Sequence, residues 1–239
     1  NPQITFFKVV YRRHTNFAIE QILQTLDGTV GYGNRVSCTI SRNGDLVNRM
    51  WVRIGTLFTG TGQQGGVAAN YPHALLKQVD LEIGGQLIDR HYGHWLETWA
   101  ELSELNPYGH VAEYNYTSLD RKTSTDEPTL FQLMSHCGGC DQDGNAMGQP
   151  LQFATIYVPL QFWFCRNPGL SLPLIALQYH EVKINIEIGT QGTTIEDAIG
   201  SDKINLDRLE LWVDYIYLDT DERRRFAQVS HEYLIEQVQ

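Results

Sequence analysis

Short runs of alternating apolar and polar residues dominate the chain. The clearest run covers residues 181–188, in which four apolar side chains alternate with four polar ones. Residues 79–83 and 209–217 show the same two-residue period. This period places the apolar side chains on one face of an extended segment, so each run predicts a β-strand with one buried face. Weaker strand candidates are 4–11, 17–26, 35–41, 50–58 and 153–164.

Helical spacing is present in one longer segment. Apolar residues recur every three or four positions between 95 and 105, and Asn106-Pro107 follows them, which predicts an amphipathic helix that ends there. A second, short helix is predicted after Asp219, where Thr220 or Asp221 could cap its first turn.

Turn signals and connection lengths complete the predicted fold. Gly84-Gly85 follows the run at 79–83 and predicts a tight hairpin. Pro159 predicts that the strand within 153–164 is an edge strand or carries a bulge. Residues 106–150 are polar and glycine-rich without a clear period, which predicts a long surface loop. About eight strands with no βαβ rhythm favour an all-β antiparallel sandwich with one or two short helices.

Composition and charge narrow the class of function. The 239 residues are 42% hydrophobic and 19% charged, which is typical of a folded domain and excludes a largely disordered chain. The net charge of −10 opposes a role in coating nucleic acid. Residues 1–60 are nevertheless basic, because they hold seven Lys or Arg against three Asp or Glu. No apolar run approaches the roughly 18 residues that cross a bilayer, so no membrane span is predicted.

The chain has four cysteines, which are too few for a disulfide framework and favour synthesis in a reducing compartment. Cys38 and Cys165 lie in apolar surroundings and are predicted to be buried. Cys137 and Cys140 have the C-x-x-C spacing of half a zinc site. The close-spaced pair that could complete such a site is His91 and His94, on the predicted helix; free loop thiols are the default prediction. Both cysteines of the C-x-x-C pair belong to the five-residue sequence His-Cys-Gly-Gly-Cys at 136–140.

Other motifs resemble functional sites but lack the context that each site needs. The glycines of 60–65 have dinucleotide-loop spacing without a following helix, and 141–145 begins like a calcium loop without its closing glutamate. His180 and His231 each start an H-E-x-x-H pattern that isoleucine interrupts. No catalytic, cofactor-binding or metal-binding residue is therefore predicted, and the protein is not expected to be an enzyme. Asn115 heads an N-x-[ST] sequon and is the possible glycosylation site.

Dispersed strand and turn sequences resemble the major capsid proteins of the large nucleocytoplasmic DNA viruses. Residues 172–183, which read LPLIALQYHEVK, are the most recognisable stretch. The resemblance covers nearly the whole chain except 60–70 and 106–150. Its other segments are 1–8, 11–18, 41–46, 81–86, 88–91, 212–219, 222–228 and 231–239.

This resemblance implies an antiparallel eight-stranded jelly roll and a structural role in the virion. Family members carry two jelly rolls in tandem and form trimers that tile an icosahedral shell over an internal membrane. It implies that 1–220 is the first jelly roll and that 221–239 is a connector to a second jelly roll absent from this chain. The chain starts at Asn1 and stops at Gln239, so it is expected to be a piece of a longer polypeptide that also has a short N-terminal arm.

The resemblance also implies partners and a location. The partners expected are further copies in a homotrimer, neighbouring capsomers and minor capsid proteins, with membrane head groups near the basic segment 1–60. The location expected is the capsid of the virion, after synthesis in the host cytoplasm. The alternative from the residues alone is a carbohydrate-binding or glycan-processing jelly-roll module, because 11% of the residues are aromatic. A nucleic-acid role ranks third because the net charge opposes it.

Overall fold

Two antiparallel sheets stack face to face in the computed structural model of this chain. The model describes residues 15–58, 70–104, 130–135, 137, 155–191, 204–229 and 232–237.

The first sheet has the strand order β1-β9-β3-β6, with the short β7 also paired to β3. Its centre is formed by β3 and β9, which run antiparallel over 11 paired positions with two register shifts. Its strands are β1 (Phe17–Gln24), β3 (Leu46–Phe58), β6 (Thr155–Pro159), β7 (Leu172–Pro173) and β9 (Ile204–Leu218).

The second sheet has the order β2-β8-β4-β5. Gly84 and Gly85 join β4 to β5 with φ angles of 61° and 80°, which favour glycine at both positions of a tight hairpin turn. Its strands are β2 (Arg35–Thr39), β4 (Leu76–Ile83), β5 (Gln86–Tyr92) and β8 (Val182–Ile188).

The hydrophobic core lies between the sheets. Alternate residues of β3 and β9, such as Val52, Ile54 and Val213, are fully buried, and so are Ile184 and Ile186 of β8. The two-residue period therefore has its predicted physical cause, because each strand turns one face to the opposite sheet.

Short helices close the ends of the sandwich. They are α1 (Tyr71–Leu75), α2 (Gly93–Ser103), α3 (Leu130–Ser135), α4 (Trp163–Arg166) and α5 (Thr220–Gln228). None of the helices in the described ranges has the length and apolar content needed to cross a bilayer.

Most sequence predictions about the fold are confirmed. Strands occupy the predicted runs at 79–83, 181–188 and 209–217, and helix α2 covers most of 95–105. β6 is the edge strand that Pro159 predicted. The described residues contain nine strands rather than eight, because β7 adds a two-residue pairing with β3. The candidate at 4–11 lies outside the described residues.

Three local predictions were wrong. The strand within 153–164 ends at Pro159, and Trp163 begins a helical turn. The cap of α5 is Asp219, whose carboxylate accepts from the Thr220 amide, rather than Thr220 or Asp221. The range 106–150 is not wholly a surface loop, because Ser135 and Cys137 within it are fully buried.

Candidate assembly surfaces and buried polar clusters

Edge strand β1 carries an exposed apolar row on its outer face. Phe17, Ile19 and Leu23 are 66%, 56% and 46% exposed. Leu23 stands opposite Trp212 of β9, and residues directly opposite in an antiparallel pair share a face. We call Phe17, Ile19, Leu23 and Trp212 the outer stripe. The outward face of a two-layer antiparallel sandwich is ordinarily polar, so an apolar stripe there marks a surface suited to contact with protein.

The C-terminal segment 232–237 is held against the sandwich. Tyr233 accepts a hydrogen bond from Trp163 Nε1 at 3.1 Å and donates to the backbone oxygen of Leu170. Arg166 forms an ion pair with Glu236 at 2.9 Å. Burial raises the pKa of the Tyr233 phenol above its ordinary value.

An apolar groove of about 510 Å³ runs beside this segment. Ile88 and Leu172 of the sandwich, Phe226 of α5 and Tyr233 and Ile235 of the segment line it. The groove therefore has apolar walls from both the sandwich and the C-terminal segment.

Helix α5 is fixed by a buried carboxylate. Asp45 accepts from Arg223 Nη2 at 2.9 Å and from the Leu218 amide at 2.8 Å. The same side chain therefore binds the end of β9 and the first turns of α5, which sets the direction in which the chain leaves the sandwich.

A second buried carboxylate, Asp80 of β4, holds the outer strands of its sheet together. It accepts from Arg90 Nε at 2.7 Å, from Gln78 Nε2 at 2.9 Å and from Arg35 Nη2 at 3.3 Å. The hydrogen bond to Asp80 raises the pKa of the Arg90 guanidinium. These contacts are structural, because every partner is a strand residue: Gln78 lies on the same strand as Asp80, and the two arginines lie on β2 and β5.

The basic residues of 1–60 that the structure describes are largely engaged in local contacts. Arg35 pairs with Asp80, and Arg53 pairs with Glu210 at 3.0 Å and lies 5.9 Å from the centre of the Tyr157 ring. Arg42 donates to the backbone oxygens of Leu177 and His180. Three further basic residues of 1–60, Lys8, Arg12 and Arg13, lie outside the described residues.

The two histidines that the sequence offered as a second half-site have other roles. His91 is fully buried, donates from Nε2 to the Asp89 carboxylate at 3.1 Å, and stacks between Trp95 and Phe162 at 4.4 and 4.3 Å. His94 is exposed and stacks on a neighbouring tyrosine ring. Neither joins the side-chain cluster around Cys137.

That cluster consists of His73, Glu97 and Cys137. Their ligand atoms all lie within 4.8 Å of one another, and His73 Nδ1 is 2.5 Å from Glu97 Oε2. The side chains of His73 and Cys137 are buried, while that of Glu97 is 22% exposed. Burial first, and then the Glu97 carboxylate, raise the pKa of the Cys137 thiol well above its ordinary value.

A close helix contact brings this cluster together. A Cβ added to Gly93, the first residue of α2, would lie 1.9 Å from the backbone oxygen of His73 in α1. The absence of that atom lets α2 approach α1, which carries Glu97 to the side chain of His73. Cys137 arrives from the segment after α3, and its amide donates to Ser135 Oγ at 3.2 Å.

The remaining cysteines and motifs have simpler outcomes. Cys38 and Cys165 are free and buried, as predicted, and burial raises their pKa to about 11 and about 12. Glu181 pairs with Lys183 at 3.1 Å, and the backbone oxygen of His180 accepts from a nearby arginine. The motifs at 60–65 and 141–145, and Asn115, His136, Cys140 and His231, lie outside the described residues.

Three tryptophans that a carbohydrate-binding module could use to stack on a sugar are covered by other side chains. Trp163 is 1% exposed, Trp95 stacks on His91, and the Arg166 guanidinium lies 4.8 Å from the centre of the Trp99 ring. These three rings therefore present no open platform on which a sugar could stack.

Comparison with known proteins gives the family. A family model described as the major capsid protein N-terminus matches residues 5–219. The chain belongs to this capsid-protein family. It is 51% identical over 239 residues to the major capsid protein of Pyramimonas orientalis virus, a match that covers 100% of this chain and 54% of that protein. It is 45% identical over 242 residues to the major capsid protein of Paramecium bursaria Chlorella virus 1, covering 100% of this chain and 48% of that protein.

The fold of this chain is also similar to that of a solved capsid structure. The quasi-atomic model of the capsid of Paramecium bursaria Chlorella virus 1 matches with a TM-score of 0.70 and 42% identity, over 98% of this chain and 50% of the matched chain. This likeness and the two stacked antiparallel sheets confirm the predicted jelly-roll sandwich. The chain spans about half the length of the relatives it matches.

Sequence reasoning missed two of these features, the outer stripe and the cluster of His73, Glu97 and Cys137. The outer stripe lies on a predicted strand, but its exposure depends on which face the opposite sheet covers. The cluster joins residues 73, 97 and 137, whose separations match no metal-binding spacing. The C-x-x-C pattern drew attention to Cys137, but nothing in the pattern points to His73 or Glu97.

Proposed function

We propose that this chain is the first jelly roll of a major capsid protein, a structural protein of the virion of a large DNA virus. The whole protein forms homotrimers with a nearly hexagonal outline, and these capsomers tile an icosahedral shell. The observation that carries this proposal is similarity along the entire chain to proteins named as major capsid proteins. Its task is mechanical, and no catalytic step is assigned to it.

The proposed domain division has structural support. Residues 1–220 form the first jelly roll and 221–239 form the connector toward a second one. Strand β9 ends at Leu218, Asp219 caps α5, and the segment 232–237 runs on along the sandwich. A helix and a pinned extended segment between two rigid sandwiches would set their relative orientation.

The partners proposed are other copies of the same protein, within the trimer and between capsomers. A cyclic trimer needs heterologous contacts, in which one flank of a subunit meets a different flank of its neighbour. The outer stripe supports this assignment, since it offers exposed apolar area on an edge strand. Minor capsid proteins, and membrane head groups near the basic segment 1–60, are further proposed partners. The proposed location is the virion capsid, after synthesis in the host cytoplasm.

Electron microscopy and light scattering of the whole protein test this proposal. We expect particles of trimer mass with threefold symmetry. The double substitution Phe17→Ser and Ile19→Ser in the outer stripe should weaken assembly and leave the far-ultraviolet circular dichroism unchanged. A monomer at all concentrations, together with specific binding on a glycan array, would refute the capsid role and support the glycan alternative.

The matched control removes apolar area from the other sheet. The side chain of Leu87 on β5 is 47% exposed, a fraction that matches the 46% of Leu23 in the outer stripe. Leu87→Ser should leave assembly as in the wild type, whereas Leu23→Ser should weaken it. Equal effects of the two substitutions would contradict the assignment of the contact to the outer stripe.

A further inference from the structure

We propose that His73, Glu97 and Cys137 bind one zinc ion, which joins α1, α2 and the segment after α3 at one end of the sandwich. The site is separate from the outer stripe and from the apolar groove beside the segment 232–237. It would be a structural site, since its ligands are largely enclosed by protein.

The donor set is one that zinc accepts. Zinc binds imidazole nitrogen, thiolate sulfur and carboxylate oxygen at about 2.0 to 2.3 Å in a tetrahedral arrangement, which places neighbouring donors about 3.3 to 3.8 Å apart. The three donor atoms here already lie within 4.8 Å of one another. Shifts of about 1 Å, within the range of side-chain rotation, would bring them to that geometry.

The charges also fit a divalent ion. A Cys137 thiolate and a Glu97 carboxylate together carry the charge that neutralises Zn²⁺, and a neutral His73 adds none. Binding releases the thiol proton to solvent, and the proton that His73 Nδ1 shares with Glu97 Oε2 moves to Nε2, so that the Nδ1 lone pair faces the metal. The complex is therefore neutral, which a buried position requires.

A second observation points to a missing ligand. Glu97 Oε1 is buried and has no hydrogen-bond partner among the described residues, although its sister oxygen Oε2 pairs with His73. An unpartnered buried carboxylate oxygen is costly, and each such atom calls for an explanation. Coordination by both carboxylate oxygens would satisfy Oε1 and supply a fourth donor, with these two oxygens closer together than two corners of a regular tetrahedron.

The arrangement would act as a clip between distant parts of the chain. Cys137 lies 40 positions after Glu97, and the residues between α2 and α3 form a long connection. Because the three ligands meet only in the folded chain, the free energy of metal binding would add to the stability of the folded state. Removing the metal should therefore loosen α3 against β6, its packing partner.

Metal analysis of the whole purified protein, dialysed without chelator, provides the first measurement. We expect about one zinc per chain in the wild type and none above background in Cys137→Ala. Cys165→Ala is the matched control, because Cys165 is also a free, buried cysteine but lies outside the cluster. Equal zinc content in the two variants would overturn the proposal.

Cobalt titration of the metal-free protein provides the second measurement. The wild type and Cys165→Ala should develop a thiolate-to-cobalt charge-transfer band. Glu97→Gln, which keeps the shape of the side chain, should bind at least about tenfold more weakly. Should Cys137→Ala fail to fold, the comparison between wild type and Glu97→Gln decides the question. A zinc-free wild type with no charge-transfer band, or equal affinity in Glu97→Gln, would refute the site.

Discussion

The substitution Gly93→Ala tests how α1 and α2 are packed. Gly93 is the first residue of α2, and glycine is the poorer helix former, so helix propensity alone predicts that alanine stabilises the protein by up to about 1 kcal/mol. The structure predicts the opposite sign. The new Cβ would stand 1.9 Å from the His73 backbone oxygen and 2.9 Å from that of Leu76.

The magnitude follows from the geometry of that clash. Carbon and oxygen atoms outside the same residue are rarely closer than 3.0 Å, so the two backbones must separate by about 1 Å. Neither contact is with the end of a flexible side chain that could rotate away. We expect a loss of about 3 kcal/mol, the upper part of the range for overpacking, which lowers the Tm by about 6 to 12 °C in a domain of this size.

Urea denaturation of the wild type and the variant measures this difference. Gly31→Ala is a suitable control, because its Cβ would meet the flexible side chain of Asn34 at 3.1 Å rather than backbone. The control should change the free energy of unfolding by less than about 1 kcal/mol. A Gly93→Ala protein as stable as the wild type would show that α1 and α2 are not packed as the structure describes.

Three further predictions concern buried polar groups. Burial raises the pKa of Tyr215 to about 12, so this phenol favours folding below pH 10 and its contribution is lost as pH rises from 10 to 12. Burial also raises the pKa of Tyr71 and Tyr233, so ultraviolet titration should show several late-ionising tyrosines and one fewer of them in Tyr215→Phe; an equal number in the two proteins would contradict this. Asp80→Asn should lower the free energy of unfolding by about 2 kcal/mol in urea denaturation, because Arg90 loses a charged acceptor at 2.7 Å. A change within about 0.5 kcal/mol, the usual range for surface substitutions, would argue against the ion pair. Cys38 and Cys165 should react with a thiol reagent only after unfolding, because burial raises the pKa of both thiols. Rapid labelling of Cys38 or Cys165 in the native protein would disprove their burial.

The outer stripe and the zinc cluster lie in different parts of the fold and support different proposals. The stripe follows an edge strand of the first sheet, where apolar side chains face outward. The cluster lies among the short helices that close one end of the sandwich. A variant that loses zinc but assembles normally would separate the two roles.

Local periodicity was a dependable guide to the strands. Residues 181–188 and 209–217 alternate because each strand has one face against the core, and that period is visible without any knowledge of the partner strand. The hairpin at Gly84-Gly85 was predictable for a similar reason, because positive φ angles at two adjacent positions favour glycine. The family was also recognisable, since its strand and turn sequences are spread along the chain.

Two predictions failed at the ends of strands, where a local pattern does not decide which residue ends the pairing or caps the following helix. The aromatic run at Phe162-Trp163-Phe164 looks like a continuing strand, but Pro159 ends the pairing and the run packs into the core as a helical turn. Asp219 displaced the two predicted caps because its side chain reaches the Thr220 amide in the geometry set by β9.

The sequence by itself therefore determined the class of fold, the positions of most strands and the family, because each depends on local spacing or on short segments characteristic of the family. The tertiary structure alone decided that the outer face of β1 is exposed, that Asp45 anchors α5, and that His73, Glu97 and Cys137 meet. These features arise from contacts across tens of residues, and the order in which strands and helices pack sets those contacts. No spacing rule along the chain encodes that order.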